Sequence, residues 1–228
     1  MKKLFLIFTS LFHFCLSAEA KFATEADVRH YVQHYLPSIQ GWCSQEKAKK
    51  FIDLLLTIKP DVCVEIGTYA GSSIFPVACT LKYLQHGTAV AIDAWDKLEA
   101  IKYFEPETAS LALEYWGKIN LDQAYYAYLN LLRAHDLTDY CITLRTTSEK
   151  AASILNHNID FLYIDGNHSQ AVSMKEVELY LPKVRSGGYI CVNDPLDIEL
   201  QNAIDAFLET CDFIEFFDGN RALLMRKR

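Results

Sequence analysis

The sequence predicts an α/β chain, a doubly wound, mostly parallel, seven-stranded sheet closed by a C-terminal antiparallel β-hairpin. Three observations predict it. Short β-type runs alternate with helical stretches, as in βαβ units built around a parallel sheet. The runs are apolar on both faces, as strands covered by helices on both sides are. The end of the chain then changes pattern: two β-type runs are joined by a tight turn, the signature of a hairpin.

Taken in order, residues 24–57 read as helical. Ala26, Val28, Tyr31, Val32 and Tyr35 recur at helical spacing, as do Ala48, Phe51, Ile52, Leu54 and Leu55, and Pro60 marks the end. Five β-type runs follow: Asp61 to Ile66, Thr88 to Asp93, Cys141 to Leu144, Asp160 to Ile164 and Tyr189 to Val192. Helical stretches near 73–85, 120–135, 148–155 and 170–181 separate them. Residues 96–139 form a long connection carrying Tyr103, Phe104, Tyr115, Trp116, Tyr125, Tyr126 and Tyr128. Most of these aromatics are expected to pack a helical layer on the sheet. The remainder suit a pocket for a planar or sugar-like molecule. Phe213 to Phe217, the turn Asp218-Gly219-Asn220, and Arg221 to Met225 form the hairpin.

The chain has 228 residues with a net charge of −7, and its 51% hydrophobic and 22% charged residues fit one globular domain. The negative balance argues against a nucleic-acid partner. Residues 1–20 are a different kind of segment. Lys2 and Lys3 precede an apolar run from Leu4 to Leu16 and a small-x-small site at Ala18-Glu19-Ala20. That is the pattern of a signal peptide cleaved after Ala20, and it predicts export to the periplasm or beyond. The run is shorter than the roughly 20 residues of a membrane span, so no stable span is expected after cleavage. A true start downstream would instead leave the chain in the cytoplasm. The expected organisation is a leader at 1–20, a helical segment at 21–60 and the main domain at 61–228. Six cysteines remain after the leader, scattered without zinc-site spacing. Cys63 and Cys191 lie in apolar runs and read as buried thiols. Such usage belongs to a reducing compartment, opposite to what the leader implies.

Four motifs carry chemistry. Glu65-Ile-Gly67-Thr68-Tyr69-Ala70-Gly71-Ser72-Ser73 follows the first strand and opens a helix. Gly67 permits a tight turn and close approach of a ligand to the backbone. A ligand crevice is expected there, outside the carboxyl ends of the strands. The motif lacks the glycine triplet that cradles a pyrophosphate, which disfavours a dinucleotide. An acid at the strand end suits a ligand bearing an amine or hydroxyls. Asp93 ends the second strand, 26 residues after Gly67, where a carboxylate can accept from both hydroxyls of a ribose. Trp95 is a candidate to lie against an adenine or a substrate, and equally a packing residue. The fourth strand delivers Asp165 and His168 to the same edge, and Asn193-Asp194-Pro195 ends the fifth. Glu65, Asp93, Asp165, His168 and Asp194 thus fall at strand ends on one side of the sheet.

As a set, the stretches VEIGTYAGSS, AIDAWD, IDFLYIDGNHS and VRSGGYICVND resemble the class I S-adenosylmethionine-dependent methyltransferases. The likeness is to the small-molecule O-methyltransferase branch that includes catechol and macrolide-sugar O-methyltransferases. It covers about residues 45–228 and implies a Rossmann-like fold, S-adenosyl-L-methionine as cofactor and a small hydroxylated acceptor as partner. It is compatible with a homodimer. The resemblance implies that Glu65, Gly67, Tyr69, Gly71 and Ser73 line the methionine part of the cofactor. By the same likeness Asp93 holds the ribose and Ser148 lies near the adenine. In the catechol branch an acid matching Asp165 binds a divalent metal such as Mg2+, and a lysine matching His168 is the general base. An acid matching Asp194 is a second metal ligand, and the third stands where this chain has Pro195, which cannot ligate through its side chain. Magnesium keeps several waters, so Asp165 and Asp194 remain the metal candidates. Asn193 is expected to alternate away from Asp194 if the strand continues.

The expected reaction is an in-line displacement at a sulfonium methyl, in which orientation alone supplies roughly 7–11 kcal/mol. His168, at an ordinary pKa of about 6.5, and Asp165 are the expected catalytic pair, and a metal would lower the acceptor's pKa. Two rivals stand beside this reading. A nicotinamide-dependent oxidoreductase is disfavoured by the missing glycine and the terminal hairpin. An exported binding module without turnover fits the leader, because S-adenosylmethionine is made in the cytosol, and is disfavoured by the intact acidic set.

Overall fold

In a computed structural model, which describes residues 22–156 and 158–228, Thr24 starts the first helix with a reciprocal cap. Its hydroxyl accepts from the Asp27 amide while the Asp27 carboxylate accepts from the Thr24 amide. The expected leader lies outside the described residues. Helix α1 (Glu25–Tyr35) gives way at Leu36-Pro37-Ser38 to a short 3-10 turn, and Ser44 caps a second helix, α2 (Gln45–Ile58). The helical region at 24–57 is therefore two helices. Pro37 has no amide to donate, so the α-helical hydrogen-bond ladder ends there and the run tightens into the 3-10 turn.

The doubly wound sheet follows. Its strands are β1 (Val62–Ile66), β2 (Thr88–Asp93), β3 (Cys141–Arg145), β4 (Ile159–Ile164), β5 (Val184–Asn193), β6 (Cys211–Phe217) and β7 (Ala222–Lys227). The order across the sheet is β3-β2-β1-β4-β5-β7-β6, parallel through β5 and antiparallel for β7 and β6. The intervening helices are α3 (Ile74–Leu84), α4 (Lys97–Ala100), α5 (Pro106–Gly117) and α6 (Leu121–Ala134), then α7 (Ser148–Ile154), α8 (Gln170–Tyr180) and α9 (Gln201–Leu208). Strand β5 begins at Val184, earlier than its apolar run, and its register against β4 shifts between the Ile159–Val184 and Phe161–Tyr189 pairs.

Strand residues alternate between two cores. Cys63, Ala89, Ala91, Phe161, Tyr163 and Cys191 face α1, α2, α3 and α6, while Val64, Ile66, Val90, Ile92, Leu162 and Ile190 face α7, α8 and α9. Both faces are apolar, which is why the strands read as continuous hydrophobic runs. The N-terminal segment belongs to the first core. Phe51 of α2 packs edge-on to Phe161 and Tyr163 at ring separations of 5.2 and 5.1 Å, and also meets Phe217 at 6.4 Å. Each such fully buried ring is worth roughly 1.5–3 kcal/mol, enough that α2 is part of the fold and not an appendage. The chain's direction of winding reverses between β1 and β4, so a crevice opens above their carboxyl ends. Among the described residues, no helix is long and apolar enough to cross a membrane, and the six cysteines are free thiols.

Candidate active site

Gly67 takes a left-handed φ of +86°. A Cβ there would stand 2.0 Å from the Asp165 carbonyl oxygen. Its amide donates to Ile92 O, and the Asp165 amide donates to Ile66 O. The turn after β1 is thus threaded between the ends of β2 and β4. Only glycine passes through that gap, because both its conformation and its clearance forbid a side chain.

Above this turn lies a crevice of about 730 Å³. Of the residues picked out from the sequence, Gly67, Tyr69, Ser73, Asp93, Ser148, Asp165, His168 and Asp194 line it. Two do not. Glu65 is fully buried behind Ser73, whose hydroxyl donates to its Oε1 at 2.8 Å. Gly71 faces α6, where a Cβ would meet Leu131 and Tyr128. Trp95 is a packing residue: its ring stacks on Tyr128 at 5.4 Å and its indole N–H donates to Tyr69 O at 2.7 Å.

The floor is acidic. Asp93 accepts from the Tyr69 amide at 2.9 Å and from the Trp95 amide at 2.7 Å. Burial raises its pKa against the pull of those amides, and burial raises that of Glu65 well above the carboxylate range. Glu65 Oε2 and the Thr68 hydroxyl are buried without a hydrogen-bond partner. The Asp93 carboxylate and the orphaned Thr68 hydroxyl on the crevice wall suit a ligand that brings polar groups of its own. S-adenosylmethionine, with its ammonium, sulfonium and ribose hydroxyls, fits that set.

At the β4 and β5 ends, His168 lies between two carboxylates, with Nε2 3.7 Å from Asp165 Oδ1 and Nδ1 3.4 Å from Asp197 Oδ2. Burial alone would lower its pKa, but the hydrogen bonds and charges of Asp165 and Asp197 override that and raise it to about 10. The imidazole is therefore protonated near neutrality, which departs from the expectation of an ordinary pKa. Strand β5 ends at Asn193, and Asp194 adopts a left-handed φ of +44°. Alternation stops there, so Asn193 turns toward Asp194 instead of away and donates to its Oδ2 at 2.9 Å.

The donor set does not fit a divalent metal. Asp165 Oδ2 accepts from the Tyr163 hydroxyl at 2.9 Å, and its Oδ1 faces His168. Asp194 is taken by Asn193 and by Arg221, whose Nε is 3.3 Å from Oδ1. Pro195 offers no ligand, and no group of three His, Cys, Asp or Glu side chains placed to share an ion occurs among the described residues.

Several crevice residues escape sequence reasoning. Arg221 comes from the hairpin turn and Asp197 from the loop after β5. Glu176 of α8 is buried, with one carboxylate oxygen unpartnered, and burial pushes its pKa up to about 7. Trp42 and Tyr115 form an open aromatic wall, 41% and 48% exposed, their rings 6.2 Å apart. Lys47 is fully buried below the floor. Its place on the apolar stripe of α2, one turn before Phe51, is the signal that could have found it.

A family model described as a methyltransferase domain matches residues 64–195. No curated protein matches the chain. Among solved structures, the O-methyltransferase NovP superposes with a TM-score of 0.65 at 15% identity, covering 81% of this chain and 80% of that one. An O-methyltransferase from Bacillus cereus in complex with SAH gives 0.58 at 13% identity over 91% and 92% of the two chains. The SAH-bound Podospora anserina methyltransferase PaMTH1 gives 0.59 at 12% identity over 90% and 87%. At these identities the likeness is one of fold.

Proposed function

The chain belongs to the methyltransferase-domain family, and from that membership we propose that it transfers a methyl group from S-adenosylmethionine to a hydroxyl oxygen of a small acceptor. The observation that carries the reading is the crevice itself, with Asp93 at the end of β2 and Asp165 at the end of β4 on either side of the Gly67 turn.

When bound, the cofactor supplies an electrophilic methyl group on a sulfonium sulfur. Asp93 accepts from the ribose hydroxyls. Ser73, backed by Glu65, and the Thr68 hydroxyl receive the amino-acid end, and Ser148 lies toward the adenine. The acceptor enters between the rim carboxylates and the aromatic wall of Trp42 and Tyr115. Asp165 would take the proton of the acceptor hydroxyl, while the bound cofactor would supply the methyl group and keep the electron pair of its carbon–sulfur bond. His168 faces the outer oxygen of Asp165 and aims the carboxylate, and with the imidazole already charged the base role passes from the histidine to the carboxylate. The chain's main contribution is orientation, worth roughly 7–11 kcal/mol when the reacting atoms are held in line. The reading includes no divalent cation, because the candidate ligands are already engaged by protein donors.

The test is a screen of phenols, catechols and sugars for S-adenosylhomocysteine release, run with Mg2+ and with EDTA. Turnover on one acceptor class at equal rates in both is the expected result. Turnover that vanishes in EDTA would restore the metal, and absence of cofactor binding by calorimetry would remove the function.

A further inference from the structure

Lys47 is the one charged residue among the largest fully buried side chains of the described residues. It lies in the first turn of α2, outside the matched methyltransferase domain, and is fully buried. Taking an ammonium out of water costs several kcal/mol unless its donors are satisfied. Its nearest partners are Asn193 Oδ1 at 2.5 Å and the Tyr163 oxygen at 3.3 Å, while the Asp218 carboxylate stands farther off at 3.6 Å. A lysine that only tied α2 to the hairpin would have Asp218 as its closest contact.

The direction of each hydrogen bond follows from the ammonium, which can only donate. Because Lys47 donates to Asn193 Oδ1, the Asn193 amide nitrogen is left to face Asp194 Oδ2, at 2.9 Å. Lys47 also donates to the Tyr163 oxygen and to Asn193 Oδ1, the other acceptor in reach of the Tyr163 hydroxyl at 3.1 Å, so the hydroxyl proton is directed to the shorter contact, Asp165 Oδ2 at 2.9 Å. One buried cation thereby sets a donor on the inner oxygen of each rim carboxylate. The outer oxygens face a second layer of cations, His168 for Asp165 and Arg221 for Asp194.

We propose that Lys47 is a positioning residue of the crevice, and that its ammonium, relayed through Tyr163 and Asn193, occupies the electrostatic place of a divalent cation between Asp165 and Asp194. The proposal deepens the reading above, since it explains how two neighbouring carboxylates stay aimed into an acceptor site without a metal. The buried positive charge repels a second cation, and the relay sets a hydrogen-bond donor on the inner oxygen of each carboxylate, in competition with a metal for that oxygen.

The test is Mn2+ binding to the full chain, followed by electron paramagnetic resonance, in the wild type, in Lys47→Met, and in Lys47→Met/Asp218→Asn, which removes both buried charges if the single variant fails to fold. The expected result is no Asp165-dependent binding in the wild type up to millimolar Mn2+. A gain of at least tenfold in affinity is expected in the folded Lys47 variant, lost again on adding Asp165→Asn. Tight, Asp165-dependent Mn2+ binding by the wild type would overturn the proposal. So would a folded variant that binds no better than the wild type, because a lysine with a purely structural role would leave metal affinity unmoved. S-adenosylmethionine affinity, measured on the same samples by calorimetry, reports separately on the methyltransferase reading.

Discussion

The Tyr69 amide donates to Asp93 Oδ2 at 2.9 Å, and this bond ties the left-handed turn after β1 to the end of β2. Asp93 therefore shapes the crevice as well as facing into it. Replacing it with alanine removes the proposed ribose acceptor and frees two backbone amides. We expect Asp93→Ala to keep the circular dichroism spectrum of the wild type and to lose about 2 kcal/mol of S-adenosylmethionine affinity, roughly 30-fold, by calorimetry. Wild-type affinity in that variant would take the ribose role away from Asp93.

Gly67 and Gly219 form a controlled pair. Both have positive φ, +86° and +62°, but a Cβ at 67 would strike the Asp165 carbonyl at 2.0 Å whereas one at 219 meets nothing within 4 Å. Gly219→Ala should cost only the left-handed backbone penalty, about 1–2 kcal/mol. Gly67→Ala should cost about 3 kcal/mol or more and abolish cofactor binding, because the displaced neighbour is backbone. Urea unfolding of the two variants reads the difference. Equal losses would mean that strain and not clearance fixes the turn.

The sheet is legible because four of its five parallel strands, all but β3, are apolar on both faces and run into an acid or a glycine. The hairpin was legible from Asp218-Gly219-Asn220. Helix α9 has no counterpart in the sequence reading, and α5 is legible only as part of a helical layer over 96–139, without bounds. Leu111, Leu113 and Tyr115 of α5 stay exposed, so that helix lacks the one-sided apolar stripe that periodicity detects. At the site, strand-end position found the crevice acids but not their protonation. Nothing in the order of residues shows that Asp197 closes on His168 from the far side, or that Asp194 leaves the strand geometry and turns its carboxylate back to Asn193. The fate of Glu65 and Gly71 was equally hidden, since facing the ligand or facing a helix depends on how α3 and α6 settle on the sheet.

His168 also makes a prediction about stability. Its folded pKa of about 10 stands above the unfolded value of roughly 6.5. Below the unfolded pKa the imidazole is charged in both states, and its pairing with Asp165 and Asp197 contributes fully. As pH rises from there toward 10, the folded protein keeps a proton that the unfolded chain has released, so that contribution, on the order of a few kcal/mol, is progressively lost. The wild-type melting temperature should fall more steeply between pH 7 and 9.5 than that of His168→Gln, which has nothing there to titrate. Parallel curves would show that the imidazole is neutral in the folded protein.

Trp42 tests where the acceptor lies. It comes from the segment between α1 and α2, far in sequence from the strand-end motifs. Its ring stands 4.9 Å from Tyr69 and 6.3 Å from Trp116, with much of one face open. An aromatic face presented to a ligand contributes through contact in the ground state and the transition state alike. Its loss should therefore raise KM and leave kcat in place. For the acceptor identified by the screen, Trp42→Ala should raise KM about tenfold, the equivalent of about 1.4 kcal/mol. Trp42→Phe should restore most of that, and S-adenosylmethionine affinity should not change in either variant. A fall in kcat at constant KM would place Trp42 behind the reacting atoms, and a fall in cofactor affinity would place it on the methionine side of the crevice, against Tyr69.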